Sequence, residues 1–414
     1  MEFNSRFWLR MALVNLLIVA LLGLLMRYKI GFEFPVFNQK YIQFSHYHFA
    51  FYGWIGHALM VLLVQSVARV NFDFKMSNYN RIFFVNAVAS YGMLVSFLGF
   101  GFGAASIAFL LMAIASGYWF TIAYVRTLRR YRINPIAANW FRAALFFNFL
   151  STLGVFALAY MMLKGHMHQK EYLATSYYFL HFQYNGWFFF ACMGLLADFI
   201  DGTARVHKEV FRWFFISCIP AYFLSALWLE LPVWVYVLVV ASALAQTYAW
   251  ALQILALIKT KPSALYWLPY ILRYVLLFVG VACSIKIVLQ LGSTIPEISK
   301  LAFGFRPIVI AYLHLVLLAV ISLFILFFVY ANRLLSARKG ILWSLLIFSI
   351  GILLNECVLA AQGIGAFSYT VIPFANEMLF IVSVVMVLGI GSLAFLSIIP
   401  EKNRDYDINH TLRP

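Results

Sequence analysis

Long apolar runs separated by short polar connections fill this chain. Each run approaches the roughly 20 residues a helix needs to cross a bilayer, and twelve begin near residues 7, 42, 80, 103, 137, 173, 211, 231, 264, 307, 339 and 376. The pattern predicts an all-α polytopic membrane protein with twelve transmembrane helices. No connection is long enough for a soluble domain, so residues 1–400 read as a single membrane domain. Residues 401–414, with Glu401, Lys402, Arg404, Asp405 and Asp407, read as a polar C-terminal tail. The first run lacks a small-residue cleavage site and is expected to be a retained span.

The polar interruptions repeat. His48, His181 and His314 stand 133 residues apart, each near the start of an apolar run. Nine histidines make an equally spaced triple easy to obtain by chance, so the flanks must carry the repeat. His48-Phe49-Ala50-Phe51-Tyr52-Gly53-Trp54 and His181-Phe182-Gln183-Tyr184-Asn185-Gly186-Trp187 share His, Phe, an aromatic, Gly and Trp in register. The third copy, beginning at His314, keeps the histidine and has Ala319 where glycine stood. Upstream, Trp8, Arg10, Ala12 and Leu13 return as Trp140, Arg142, Ala144 and Leu145, and more weakly as Trp267 and Arg273. Three pseudo-repeats of four helices follow, at about 1–135, 136–262 and 263–400, with the marked histidines on helices two, six and ten.

Composition agrees with a membrane protein. The chain is 64% apolar and 11% charged, whereas a water-facing surface needs about a quarter of its residues charged. The net charge of +16 does not imply nucleic acid, because Lys and Arg gather at helix ends, where positive charge sets topology. Fifteen of them, among them Arg69, Arg126, Arg205, Lys259 and Arg338, fall in even-numbered connections, against seven, including Arg27, Lys164, Lys300 and Arg306, in odd ones. Both termini are therefore expected in the cytoplasm, with the marked histidines in the outer third of the bilayer. The four cysteines, Cys192, Cys218, Cys283 and Cys357, lie on separate apolar runs without metal-type spacing. No P-loop, dinucleotide fingerprint or Cys-x-x-Cys-His motif is present.

A histidine facing lipid is costly, so each should face the bundle interior. There it is either a satisfied interhelical hydrogen bond or a ligand, and three equivalent positions favour ligation of haem iron, copper or zinc. His46 lies two residues before His48, about 200° around the helix, so the two cannot address one cofactor together. His57 falls on the face opposite His48 and is expected to pack. His166 and His168 belong to an outer loop, and His207 and His410 to an interface and the tail. Further intramembrane polar groups are Glu356 and Asn355 on helix eleven and Lys286 on helix nine. Glu356 has three readings: an ion pair with Lys286, a proton carrier, or a brace between helices. Gly53 and Gly186 admit close approach of either a helix or a flat macrocycle.

On these residues the chain resembles the catalytic subunit of the haem-copper oxidase superfamily, which includes oxygen and nitric oxide reductases. That family has twelve helices in three arcs of four. His46-Tyr47-His48-Phe49-Ala50-Phe51-Tyr52-Gly53-Trp54 is similar to its helix-two motif, and the resemblance makes His48 a low-spin haem ligand, with His46 its rival. Ala311-Tyr312-Leu313-His314 resembles the helix-ten motif and keeps only the low-spin position, His314. Tyr312 stands where the high-spin haem ligand belongs. His181 corresponds to the helix-six metal histidine, and Arg306 is placed either to meet a haem propionate or to anchor the interface.

The departures bear on function. The family's second metal needs two more histidines on helix seven, but none occurs between His207 and His314. One ligand is too few for copper, so the resemblance implies one b-type haem, no copper and no autonomous oxidase. The expected role is electron transfer in the membrane or sensing of a small gas, with no catalytic residue assigned. Expected partners are membrane lipid and a redox partner or other membrane subunits, in a bacterial inner membrane. Two other classes stay open: a cofactor-free structural subunit of a membrane complex, and a transporter.

Overall fold

The computed structural model describes residues 5–32, 34–165, 168–200, 204–299 and 305–399, with backbone alone at 204, 205 and 367. His166, Lys300, Gly304, His410 and the 401–414 tail lie outside the described residues. In chain order the long helices are α1 (Ser5–Gly31), α2 (Gln39–Ala68), α3 (Met76–Phe100), α4 (Ala104–Arg130), α5 (Pro135–Lys164), α6 (residues 169–199), α7 (Ala204–Cys218), α8 (Val233–Thr260), α9 (Tyr270–Gly292), α10 (Arg306–Ala331), α11 (Lys339–Phe367) and α12 (Ala375–Ile398). Among the described residues ten of them, all but α6 and α7, are long and apolar enough to cross a membrane.

The two exceptions have local causes. In α6 the residues Gln169, Lys170, Glu171, His181, Gln183, Asn185 and Asp198 dilute the apolar run. The 15-residue α7 stops before Pro220, which has no N–H to donate to the preceding turn and whose ring crowds it. The chain continues as a tighter 3-10 turn, Pro220–Ala226. Other boundaries follow ordinary signals. α5 begins with Asn134 accepting the Ile136 N–H at 3.0 Å and Pro135 in its first turn, and it ends at Gly165 in a left-handed conformation, φ 68°.

Outer helices show lipid on one side and protein on the other. On α9, Leu277, Val281, Ile285 and Val288 recur at helical spacing and are all exposed, whereas Leu272, Val275, Val279, Ala282 and Lys286 are buried. An apolar stripe left open in this way suits hydrocarbon and would aggregate in water.

At the centre stand α2, α6 and α10. Phe51 of α2 meets Phe188 of α6 at 5.5 Å between ring centroids, Phe199 of α6 meets Phe327 of α10 at 5.6 Å, and the Trp54 indole of α2 donates to Ser322 Oγ of α10 at 2.9 Å. At the end opposite the histidines, Arg69 closes the trio. Its guanidinium pairs with Asp198 at 2.7 Å and also donates to Asn332 Oδ1.

Gly186 explains one close approach. A Cβ there would lie 2.5 Å from Phe147 Cβ on α5, closer than unbonded carbons come. Gly186→Ala is therefore expected to cost about 1–3 kcal/mol through forced separation of α5 and α6, read as a lower unfolding temperature in detergent. Gly280, with nothing within 4 Å of its would-be Cβ, is the control. Gly280→Ala should hold or raise stability.

Candidate functional site

Each central helix changes character at its histidine. Immediately after His48, His181 and His314 the α-helix gives way to π-helix, at Phe49–Gly56, Phe182–Phe188 and Leu315–Ser322. These segments start 133 residues apart, like the histidines. Burial changes at the same place. None of Arg306–His314 is buried, whereas Leu323–Tyr330 is buried throughout. In α6 nothing before His181 is buried, and every residue from His181 to Ala197 is. The three helices are thus tightly packed at the Arg69 end and less covered at the histidine end.

A π segment leaves carbonyls outside the regular i→i−4 ladder, and buried carbonyls need partners. Side chains from neighbouring helices supply them. Asn15 Nδ2 donates to Gly53 O at 2.6 Å and is itself held by Tyr91, Asn86 Nδ2 donates to Tyr52 O at 3.2 Å, and Cys218 Sγ approaches Asn185 O at 3.9 Å. Within α10, Ser322 Oγ donates to Leu317 O at 2.7 Å. Pi-helical turns are rare and occur frequently at functional sites.

The histidines then separate into two kinds. His48 is buried, holds the Phe44 carbonyl through Nδ1 at 2.9 Å, and stacks on Phe97 of α3 at 4.2 Å with an 11° interplanar angle. His46 turns the other way, toward α1. Its Nδ1 bonds Val19 O at 3.1 Å, and its ring passes 3.5 Å from where a Gly23 Cβ would be. His314 holds Ile310 O through Nδ1 at 2.8 Å. His46 and His314 lie within electrostatic reach of one another, and both are only partly buried. With each Nδ1–H given to a carbonyl, each Nε2 is the free, basic nitrogen, which is the tautomer a metal ligand needs.

Arg27 belongs to this site although the sequence presents it as one more charge at a helix end. Val19, Gly23 and Arg27 lie four residues apart on one face of α1, and Arg27 is within electrostatic reach of His46, His314 and Arg306. Among the described residues neither arginine forms an ion pair with a carboxylate. The result is a cationic corner between α1, α2 and α10, suited to carboxylate or phosphate groups. The four-residue spacing from Val19 was the available signal, but it becomes meaningful only once His46 is seen against that face.

The other polar residues are held apart. His181 has both nitrogens engaged, Nε2 with Cys218 O at 2.9 Å and Nδ1 with Asn185 Nδ2 at 3.2 Å, the geometry of a brace. His57 is paired with Asn86 at 3.1 Å. Lys286 is buried with its Nζ 5.1 Å over the Phe189 ring, within electrostatic reach of Cys218, Cys283 and His181. The ion pair between Lys286 and Glu356 open to the sequence is not formed. Glu356 is half-buried on α11 and bonded to Asn355 at 3.2 Å. Tyr312 meets Tyr184 edge to face at 6.3 Å. No group of three or more His, Cys, Asp or Glu residues is gathered for a metal among the described residues. No protein-family model matches this sequence, and no curated protein is detectably similar to it.

Proposed function

We propose that this integral membrane protein holds one b-type haem between His46 and His314 and carries electrons within the membrane. The observation that carries the reading is the pair of imidazoles on α2 and α10, each with Nδ1 tied to a carbonyl, beside two arginines that have no carboxylate partner among the described residues. His46 and His314 would be the axial ligands, and Arg27 and Arg306 would meet the propionates. A haem bound in this way supplies a one-electron couple, and two protein ligands leave no open axial position for a substrate, which favours electron transfer over gas binding.

In this reading the chain is a divergent relative of the haem-copper oxidase catalytic subunit, with three pseudo-repeats of four helices. The evenly spaced π segments support the repeat. So do Trp8 and Trp140, both buried at equivalent positions, while the weaker third match, Trp267, is 75% exposed. With His181 braced on both nitrogens, we assign no oxygen-reducing centre and no copper. The histidine end faces outward from a bacterial inner membrane, and a redox partner or companion subunit docks from the membrane or the aqueous side.

The test is the reduced-minus-oxidised visible spectrum of the purified protein with a pyridine haemochrome assay. A sharp low-spin signal at about one haem per chain is expected for bis-histidine ligation. A correctly folded but colourless protein from cells well supplied with haem would falsify the reading in favour of a cofactor-free scaffold or a transporter.

A further inference from the structure

A second polar region lies on the other side of α2, away from α1. Between α2, α3, α4, α5 and α6 is a cavity of about 30 Å³, room for about two waters. Phe51, Met60, Ile114 and Trp187 form apolar parts of its wall. Six polar side chains converge on it from five helices: Tyr52, Asn86, Tyr118, Asn148, Thr152 and Gln183. The Tyr52 hydroxyl is buried and has no hydrogen-bond partner among the described residues.

Hydrogen-bond accounting points the same way. Gln183 Nε2 donates to Asn148 Oδ1 at 3.1 Å and to Ser151 Oγ at 2.7 Å. Those bonds use both Gln183 donors and one Asn148 lone pair, and the Gln183 Oε1 acceptor and the Asn148 Nδ2 donors keep the capacity to bond water. Tyr118 and Thr152 hydroxyls bond each other at 2.5 Å and retain a lone pair each. Leaving the buried Tyr52 hydroxyl unmet costs about 1–3 kcal/mol. No charged residue lines the cavity among the described residues, so an ion there would have no counter-charge. A neutral, hydrogen-bonding molecule of water's size satisfies both conditions.

We propose that this cavity is a water-binding site, in which about two waters join the Tyr52 hydroxyl to the Asn148 and Gln183 amides. Tyr52 and Gln183 both belong to π segments, of α2 and α6, so the site couples two of the three central helices through solvent. It does not depend on the haem reading, because none of its residues touches the His46 and His314 corner.

X-ray hydroxyl-radical footprinting in H₂¹⁸O tests it on the full chain in nanodiscs. The reference is Tyr124, whose hydroxyl is buried as that of Tyr52 is, although the Tyr52 ring is only partly buried; Tyr124 is bonded to Leu63 O at 2.8 Å and absent from the cavity wall. Bound water should make Tyr52 incorporate label about tenfold faster than Tyr124. Equal rates at the two tyrosines would overturn the proposal. Asn148→Leu removes a donor and narrows the cavity, so it should bring Tyr52 down to the Tyr124 rate in a folded protein whose unfolding temperature is somewhat lower, because the variant also takes the acceptor from Gln183 Nε2. Undiminished labelling in that folded variant would place the water elsewhere and equally overturn the assignment.

Discussion

His46→Ala and His314→Ala should each abolish the low-spin haem signal, while His48→Ala should keep it. Register within the repeat favours His48, because it is His48 that aligns with His181 and His314. The tertiary structure assigns the faces differently. His48 stacks on Phe97 and looks toward α3, whereas His46 lies against the α1 face that carries Arg27 and within electrostatic reach of His314. Removing an axial ligand should lower haem content by at least about tenfold, which needs only ~1.4 kcal/mol of lost affinity. Exogenous imidazole should restore part of the signal in the two ligand variants by filling the space of the missing ring. His48→Phe, which keeps an aromatic ring against Phe97, guards against a packing artefact. Loss of the signal in His48→Phe together with its survival in His46→Ala would reverse the assignment.

Arg69→Ala should lower stability by about 2–3 kcal/mol, below the roughly 3–5 kcal/mol for stripping a fully buried charge of its partner. Asp198 is 8% exposed and Arg69 37% exposed, so water screens part of the loss. The variant leaves the Asp198 carboxylate and the Asn332 amide oxygen without their shared donor at the point where α2, α6 and α10 converge. A double variant, Arg69→Met with Asp198→Leu, removes both charges and should fall within about 1 kcal/mol of the parent. Thermal unfolding in detergent separates the cases. Equal losses in the single and double variants would mean that the ion pair does not hold the trio together.

Gly186 and Lys286 mark the limits of reading roles from residue type. Gly186 had two readings in the sequence, a seat for a macrocycle or for a helix, and Phe147 occupies the position beside it. Lys286 and Glu356 suggested an ion pair by opposite charge, yet they belong to different neighbourhoods, one among thiols and aromatic rings and one beside Asn355. Residue type gave the cost of burial in each case, and packing chose what met that cost.

The sequence by itself determined the membrane class and the places of the helices. Hydropathy and breakers act locally, so runs expected near residues 7, 137, 307 and 376 appear as helices starting at Ser5, Pro135, Arg306 and Ala375. It also determined the even spacing of three histidines. Only the tertiary structure decided which way they point. His46 and His48 differ by about 200° of rotation, both directions lead into protein, and the rotation of α2 is fixed by contacts with Val19, Gly23 and Phe97 far away in the chain. The π segments were hidden for the same reason. Their carbonyls are satisfied by Asn15, Asn86 and Cys218 on other helices, and no local pattern records a partner that folding alone brings near.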